Sequence, residues 1–170
     1  MKSSVALIGF MGTGKTAAGK LLAEKLGKRF IELDAFIEKK AGKSVNEIFK
    51  DGELAFREME IAAVKEVSAG KNQVIACGGG VVLNRINIDR LKQQAIIVYL
   101  TATPGVIMRR TTGAERPLLN TPDRLQRIHE LLKFRRPFYE RAADITVSTS
   151  RSNVNAVVSE IIEKLKVYES

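Results

Sequence analysis

Between an apolar run, Val5-Ala6-Leu7-Ile8, and an amphipathic stretch beginning at Thr16 lies Gly9-Phe10-Met11-Gly12-Thr13-Gly14-Lys15-Thr16. This segment, G-x-x-x-x-G-K-T, constrains the fold more than any other part of the chain. The apolar run before it has the character of a buried strand. After it, Ala18, Leu22 and Leu26 share one helical face and Gly27 supplies the stop. A strand, a glycine-rich turn and a helix in that order aim several backbone N–H groups at one point, at the positive end of the helix dipole. Such a point suits phosphate: Lys15 reaches the outer phosphates of a nucleoside triphosphate and the Thr16 hydroxyl ligates Mg²⁺. Gly12, Thr13, Gly14, Lys15, Thr16 and Ala17 are the expected nucleotide contacts. A glycine turn that matches by chance is the alternative, and the strand–helix setting argues against it.

The rest of the chain alternates strand and helix, the pattern of an α/β fold with a parallel sheet. Strands are predicted at Arg29-Phe30-Ile31-Glu32, ending at Asp34, at Gln73–Ala76, at Ala95–Leu100 and at Asp144–Val147. Helices are predicted over 35–40, from a capping box at Ser44–Glu47, over 53–70 after Asp51-Gly52, and over 83–91. Further helices follow Thr103-Pro104, follow Asp123 with Leu125, Ile128 and Leu132 on one side, and follow Ser152 with Val154, Val157, Val158, Ile161 and Leu165 inward. The polar stretch 111–122, holding Gly113, Arg116, Pro117 and Asn120, is long enough for a compact domain to suggest a mobile, functional loop.

With 170 residues, one domain is expected over 1–170, and no apolar run is long enough to span a membrane. The chain enters its first strand four residues after Met1, so a cytoplasmic protein without a cleaved leader is expected. One cysteine, Cys77, and one histidine, His129, make a disulfide framework or a zinc site improbable, leaving Mg²⁺ held by oxygens. The formal charge of +9 favours anionic partners. Basic residues are scattered rather than interleaved with aromatics, which favours small anions over nucleic acid.

A phosphate loop alone does not separate a kinase from a switch, a helicase or a transporter ATPase. Ligands of a parallel sheet collect beyond the carboxyl ends of its strands, and there the chain places Asp34 and Cys77-Gly78-Gly79-Gly80. Asp34 is equally a proton acceptor for a substrate hydroxyl or a helix cap. Arg57 and Glu60, three apart on one helical face, form either a carboxylate-binding fork or an exposed ion pair, and the residues alone favour the pair. Gly78, Gly79 and Gly80 pack nothing, so a ligand close to the backbone is the better reading. Arg116 in its polar loop fits either a lid arginine touching a transferring phosphoryl group or an ordinary surface charge, and Arg135, before Arg136-Pro137, either a second anion clamp or a favourable cation at a helix C-terminus. His129 is expected to be a partly buried structural residue and Cys77 a core residue.

In order along the chain, these segments resemble the shikimate kinase family. The resemblance rests on Gly9–Thr16, Phe30-Ile31-Glu32-Leu33-Asp34, Gly52-Glu53-Leu54-Ala55-Phe56-Arg57-Glu58-Met59-Glu60, Gly78–Gly80, Arg116-Pro117-Leu118-Leu119 and Arg135-Arg136-Pro137-Phe138-Tyr139. It implies a three-layer α/β/α fold with a five-stranded parallel sheet of order 2-3-1-4-5, a P-loop kinase of the nucleoside monophosphate kinase type. It implies ATP-dependent phosphorylation of the 3-hydroxyl of shikimate on the route to chorismate and the aromatic amino acids. Asp34 would bind the shikimate hydroxyls and act as base. Arg57 and Arg135 would grip the carboxylate beside the glycines, with Gly79 supplying an N–H. Lys15 and Arg116 would stabilise the transferring phosphoryl group. Arg110 would lie against adenine, with Ser148–Ser152, including Arg151, on its other side. Thr16 would bind Mg²⁺, with Glu32 acting through water. The acceptor region would cover 34–61 and the lid 111–122. The C-terminal helix has one apolar face and not two, so a monomer is expected. Two positions depart from the family: Glu32 stands where an Asp is usual, and Cys77 where a Ser or Thr is usual. A gluconate or nucleotide kinase sharing the same loop, and a nucleotide-dependent regulator binding nucleic acid, are the competing readings.

Overall fold

A computed structural model describes residues 1–112 and 116–170; Gly113 of the expected lid lies outside the described residues. Five parallel strands, β1 (Ser4–Ile8), β2 (Arg29–Glu32), β3 (Gln73–Ala76), β4 (Ala95–Thr101) and β5 (Ile145–Ser148), form a sheet in the order β2-β3-β1-β4-β5. The expected order is the observed one. In register, Ala6 pairs with Ile75 on one side and Ile97 on the other. Central strands covered on both faces need near-continuous apolar runs, and β1, β3 and β4 have them apart from Ser4, Gln73 and Thr101 at their ends.

Alternate residues of each strand feed two cores. Ala6, Ile8, Ile75, Ile97 and Tyr99 pack toward α4 (Glu53–Val67), α5 (Arg85–Lys92) and α7 (Arg124–Ala142). Val5, Leu7, Val74, Val98 and Leu100 pack toward α1 (Lys15–Leu26) and α8 (Val154–Glu169). The remaining helices are α2 (Leu33–Ala41), α3 (Val45–Lys50) and α6 (Pro104–Thr111), with a 3₁₀ turn at Val81–Leu83 and another at Pro117–Leu119. Ser44 and Glu47 form the expected capping box, and Thr103 caps α6 with Pro104 at its first position. Among the described residues no helix is long and apolar enough to cross a membrane.

Several boundaries differ from expectation. β2 stops at Glu32, which pairs with Ala76, the last residue of β3. With no further rung to extend the ladder, the chain turns at once into α2, so Asp34 lies in the first helical turn rather than closing the strand or capping the helix. α4 ends at Val67, short of Gly70. The predicted helix over 83–91 is split, because Asn84 takes an extended conformation (φ −109°, ψ 114°) between the 3₁₀ turn and α5. α8 is capped by Asn153, whose side chain accepts from the Ala156 N–H, not by Ser152, and Val154 stays 37% exposed at its first turn.

The largest departure is α7, which does not end near Arg135 but runs on to Ala142 through Pro137. Proline removes one intrahelical donor, and the carbonyl it leaves belongs to Lys133 on the exposed side, where water can satisfy it. The inward stripe of α7 is Ile128, Leu132, Arg135, Tyr139 and Ala142. That stripe leaves Leu125 42% exposed and turns His129 to solvent, so neither is the inward residue expected.

Candidate active site

The carboxyl ends of β1, β2 and β3 deliver the functional side chains to one cleft. At the end of β1 the phosphate loop bends through glycines with positive φ, and Gly14, in the left-handed region at φ 88°, opens α1. Gly12 shows why a side chain is excluded there: its φ is 79°, and a Cβ would lie 2.9 Å from the Thr111 methyl group. Within the loop the Phe10 carbonyl accepts from the Thr13 hydroxyl at 2.8 Å and from Lys15 Nζ at 3.0 Å. Lys15 also donates to the Gly9 carbonyl at 2.5 Å. Burial pushes the Lys15 ammonium down to about 8, against the opposing pull of Asp34. Its hydrogen bonds go to the loop, and it feels the charge of Asp34.

Thr16 and Ala17 are exposed at the start of α1, where the first-turn N–H groups are free to meet phosphate. The Thr16 hydroxyl donates to Glu32 Oε2 at 3.4 Å, so the longer side chain at position 32 reaches the hydroxyl beside the phosphate loop. Among the described residues no three His, Cys, Asp or Glu side chains form a metal cluster of their own. A hydroxyl and a carboxylate beside a phosphate cradle fit Mg²⁺ that arrives with the nucleotide and keeps most of its water.

Arg110, at the end of α6, ties this loop to the edge of the sheet. Its guanidinium donates to the Gly12 carbonyl at 3.2 Å, to the Thr149 hydroxyl at 3.0 Å and to the Thr149 carbonyl at 2.8 Å. Within the 148–152 segment Thr149 is the residue that holds Arg110, while Arg151 is exposed.

Across the cleft, α4 buries Arg57, which donates through Nη1 to Glu60 at 3.1 Å and through Nε to Glu53 at 3.3 Å. Arg57 is 8% exposed and Glu60 0%, so this is a buried fork rather than the exposed ion pair that spacing alone favours. Gly80 lies directly beneath the guanidinium: a Cβ there would overlap its Nη atoms. A methyl group on Gly78 would sit 2.9 Å from Asp34 Oδ1 and 3.3 Å from Glu60 Oε2. The three glycines therefore make room for charged side chains lining the cleft, a closer packing than expected.

Two carboxylates face each other across Gly78, and among the described residues Asp34 Oδ1 and Glu60 Oε2 have no hydrogen-bond partner. Burial raises Asp34 above the ordinary carboxylate range; Lys15 opposes this and Glu32 adds to it. Burial also pushes Glu60 up to about 7, against the charge and hydrogen bond of Arg57. Cys77 is buried and pushed up to about 12, which suits a core residue and not a nucleophile.

Arg135 completes the wall from α7. It is 2% exposed, its guanidinium stands 5.8 Å from the Phe10 ring centroid, and its Nε and Nη1 have no acceptor among the described residues. Arg116, half-buried before the second 3₁₀ turn, also has an unpartnered Nε. Asp34, Arg57, Gly79, Arg116 and Arg135 all line a single pocket, adjoining one lined by Lys15, Thr16, Glu32 and Arg110. Asp34, Gly78, Gly79 and Arg116 belong to both, so they are where the two meet. Residues the sequence reading missed are Thr149 and Tyr139, whose hydroxyl donates to the Gly79 carbonyl. Tyr139 stands four residues from Arg135, a helical spacing hidden by the expectation that Pro137 ends the helix.

A phosphate loop on a parallel sheet of this order, joined to a second pocket lined by arginines and a carboxylate, defines a small-molecule kinase of the phosphate-loop class. The family model for shikimate kinase matches residues 11–166. The chain is 49% identical over 161 residues to shikimate kinase of Caldanaerobacter subterraneus subsp. tengcongensis, covering 94% of each. It is 44% identical over 167 residues to that of Symbiobacterium thermophilum, covering 96% of each. Its structure matches shikimate kinase from Acinetobacter baumannii in complex with shikimate at a TM-score of 0.95 and 34% identity, over 98% of this chain and 94% of that one. A gluconokinase from Sinorhizobium meliloti, at TM-score 0.59 and 18% identity over 99% and 98%, shares the fold alone. The chain belongs to the shikimate kinase family.

Proposed function

We propose that this protein transfers the γ-phosphoryl group of ATP to the 3-hydroxyl of shikimate, giving shikimate 3-phosphate and ADP on the route to the aromatic amino acids. The observation that carries this reading is the buried Arg135 guanidinium, with two N–H-bearing atoms lacking any acceptor among the described residues, lining one pocket with Arg57. Buried N–H donors without acceptors are unfavourable, and a small carboxylate supplies what is missing. Asp34, in the same pocket and next to Lys15, supports a hydroxyl-bearing acceptor facing the phosphate donor.

In this mechanism Arg57 and Arg135 hold the carboxylate, and the Gly79 N–H adds a backbone donor. Asp34 orients the acceptor hydroxyl and takes its proton; a raised proton affinity favours that transfer. Lys15 and Arg116 balance charge on the phosphoryl oxygens as it passes between the pockets. Thr16, with Glu32 through water, would hold Mg²⁺, which supplies charge neutralisation on the phosphate oxygens. Arg110 and the 148–152 segment flank the base, residues 34–61 form the acceptor region, and 111–122 act as the lid. The protein works as a cytoplasmic monomer.

An ADP-release assay across shikimate, gluconate and nucleoside monophosphates tests the acceptor. Shikimate is expected to give the highest kcat/KM by orders of magnitude. Turnover with gluconate or a nucleotide and none with shikimate refutes the proposal.

A further inference from the structure

The glycine turn after β3 offers donors to the acceptor pocket only if its peptide planes are held in one orientation. Glycines do not hold themselves: each has more conformational freedom than any other residue. One plane is fixed locally, because the Gly78 carbonyl accepts from the Val81 N–H at 3.2 Å. The next plane, between Gly79 and Gly80, receives no such bond from the turn. Its carbonyl accepts instead from the hydroxyl of Tyr139, sixty residues away on α7. A peptide is planar and trans, so fixing the Gly79 carbonyl toward Tyr139 sends the Gly80 N–H the opposite way. Among the described residues neither the Gly79 nor the Gly80 N–H donates to a protein group. Both glycines line the pocket with Arg57 and Arg135.

Tyr139 is suited to this task. It is fully buried, and its ring stacks on Tyr99 with centroids 5.0 Å apart, so the hydroxyl has a fixed origin. It lies one helical turn after Arg135, whose Nη1 would be 3.4 Å from a Cβ on Gly79. One rigid helix thus carries both an arginine of the pocket and the hydroxyl that orients the backbone beside it. Burial pushes the Tyr139 hydroxyl up to about 12, against the pull of Arg135, so it remains a donor throughout the range in which a kinase is assayed.

We propose that Tyr139 is a positioning residue for the acceptor: its hydroxyl fixes the Gly79–Gly80 peptide so that the Gly80 N–H faces the substrate carboxylate between Arg57 and Arg135, beside the Gly79 N–H that the Val81 bond orients. This rests on the acceptor reading above.

Tyr139→Phe keeps the ring and its stack on Tyr99 and deletes only the hydroxyl. The shikimate KM is expected to rise about tenfold, the loss of roughly one hydrogen bond, while kcat and the ATP KM stay within about twofold. Tyr99→Phe, which loses a hydroxyl away from the glycine turn, is expected to match the wild type. An unchanged shikimate KM in Tyr139→Phe overturns the proposal. So does a parallel loss in kcat and in both KM values with a large fall in Tm, which marks a purely structural residue. A second readout needs no variant: shikimate must shift the ¹⁵N–¹H resonances of Gly79 and Gly80 in the wild type and slow their exchange, and unmoved resonances overturn the idea. Wild-type turnover is measured first. Its absence refutes the acceptor assignment, whereas normal turnover with an unaffected Tyr139→Phe refutes the positioning role alone.

Discussion

Arg135→Met separates a guanidinium kept for a ligand from one kept for the fold. Methionine preserves much of the side chain's apolar stem and removes the charge. In the free protein that charge is buried at 2% exposure with Nε and Nη1 unpartnered among the described residues, so Glu60 and the Phe10 ring offset only part of its desolvation. Replacing a buried charge by an apolar side chain of similar volume is often neutral or stabilising, and each kcal/mol moves Tm by about 2–4 °C in a domain of this size. Thermal stability should therefore hold or rise by a few degrees. Acceptor binding should move the other way. Two charge-assisted hydrogen bonds at about 1.5–2 kcal/mol each come to ~3–4 kcal/mol, or roughly 150- to 900-fold in the dissociation constant. Calorimetric titration with shikimate and with ATP, beside thermal melts, reads all three quantities. ATP affinity should stay within about threefold. A fall in Tm of several degrees with equal losses of both affinities would show that the guanidinium is kept for the fold and not for a carboxylate.

The other outcomes concern the same cleft. Glu60 is held up at about 7, facing Arg57, Asp34 and Arg135; the folded state therefore binds more protons than the unfolded chain between about 4.5 and 7. Stability should fall as pH rises through that window, by up to roughly 3 kcal/mol, and Glu60→Gln should flatten the slope in urea melts at pH 5 and 8; an unaltered slope rules Glu60 out as its source. Gly80→Ala places a methyl group where the Arg57 guanidinium lies, so the shikimate KM should rise at least about tenfold with the ATP KM unchanged; normal kinetics would mean that Arg57 relocates freely. Arg110→Ala removes the bridge from Gly12 to Thr149, and should raise the ATP KM more than the shikimate KM; a selective effect on shikimate would refute its assignment to the nucleotide side.

The donor half of the site was legible because it is local. Gly9 to Thr16 are contiguous, and their flanking strand and helix are defined by hydrophobic period alone, so the eight residues carry their own geometry. The sheet order was legible only through resemblance to a family, since period says that strands exist and not which neighbours they choose. Arg57 illustrates the limit best. Its spacing from Glu60 is the same whether the pair is exposed or buried; only tertiary packing, with Gly80 under the guanidinium and Phe56 5.2 Å away, turns a weak surface contact into a buried fork.

Asp34 and the end of α7 were misplaced for a common physical reason: both expectations relied on where an element stops, and stops are set by partners distant in sequence. β2 ends where β3 ends, two residues before Asp34, and the resulting early turn into α2 brings the carboxylate toward Gly78 instead of leaving it on the strand. α7 continues through Pro137 because the residue whose carbonyl is released, Lys133, lies on the exposed face, and Tyr139, Ala142 and the stripe before them stay buried. Local propensity against proline costs about 3 kcal/mol, less than the burial of the aromatic and aliphatic side chains beyond it can return. Carrying the helix past that residue puts the Tyr139 hydroxyl on the same rigid body as Arg135. The acceptor cleft therefore depends on a helix that outlasts its own breaker, and a variant that ends α7 at Pro137 should lose shikimate before it loses ATP.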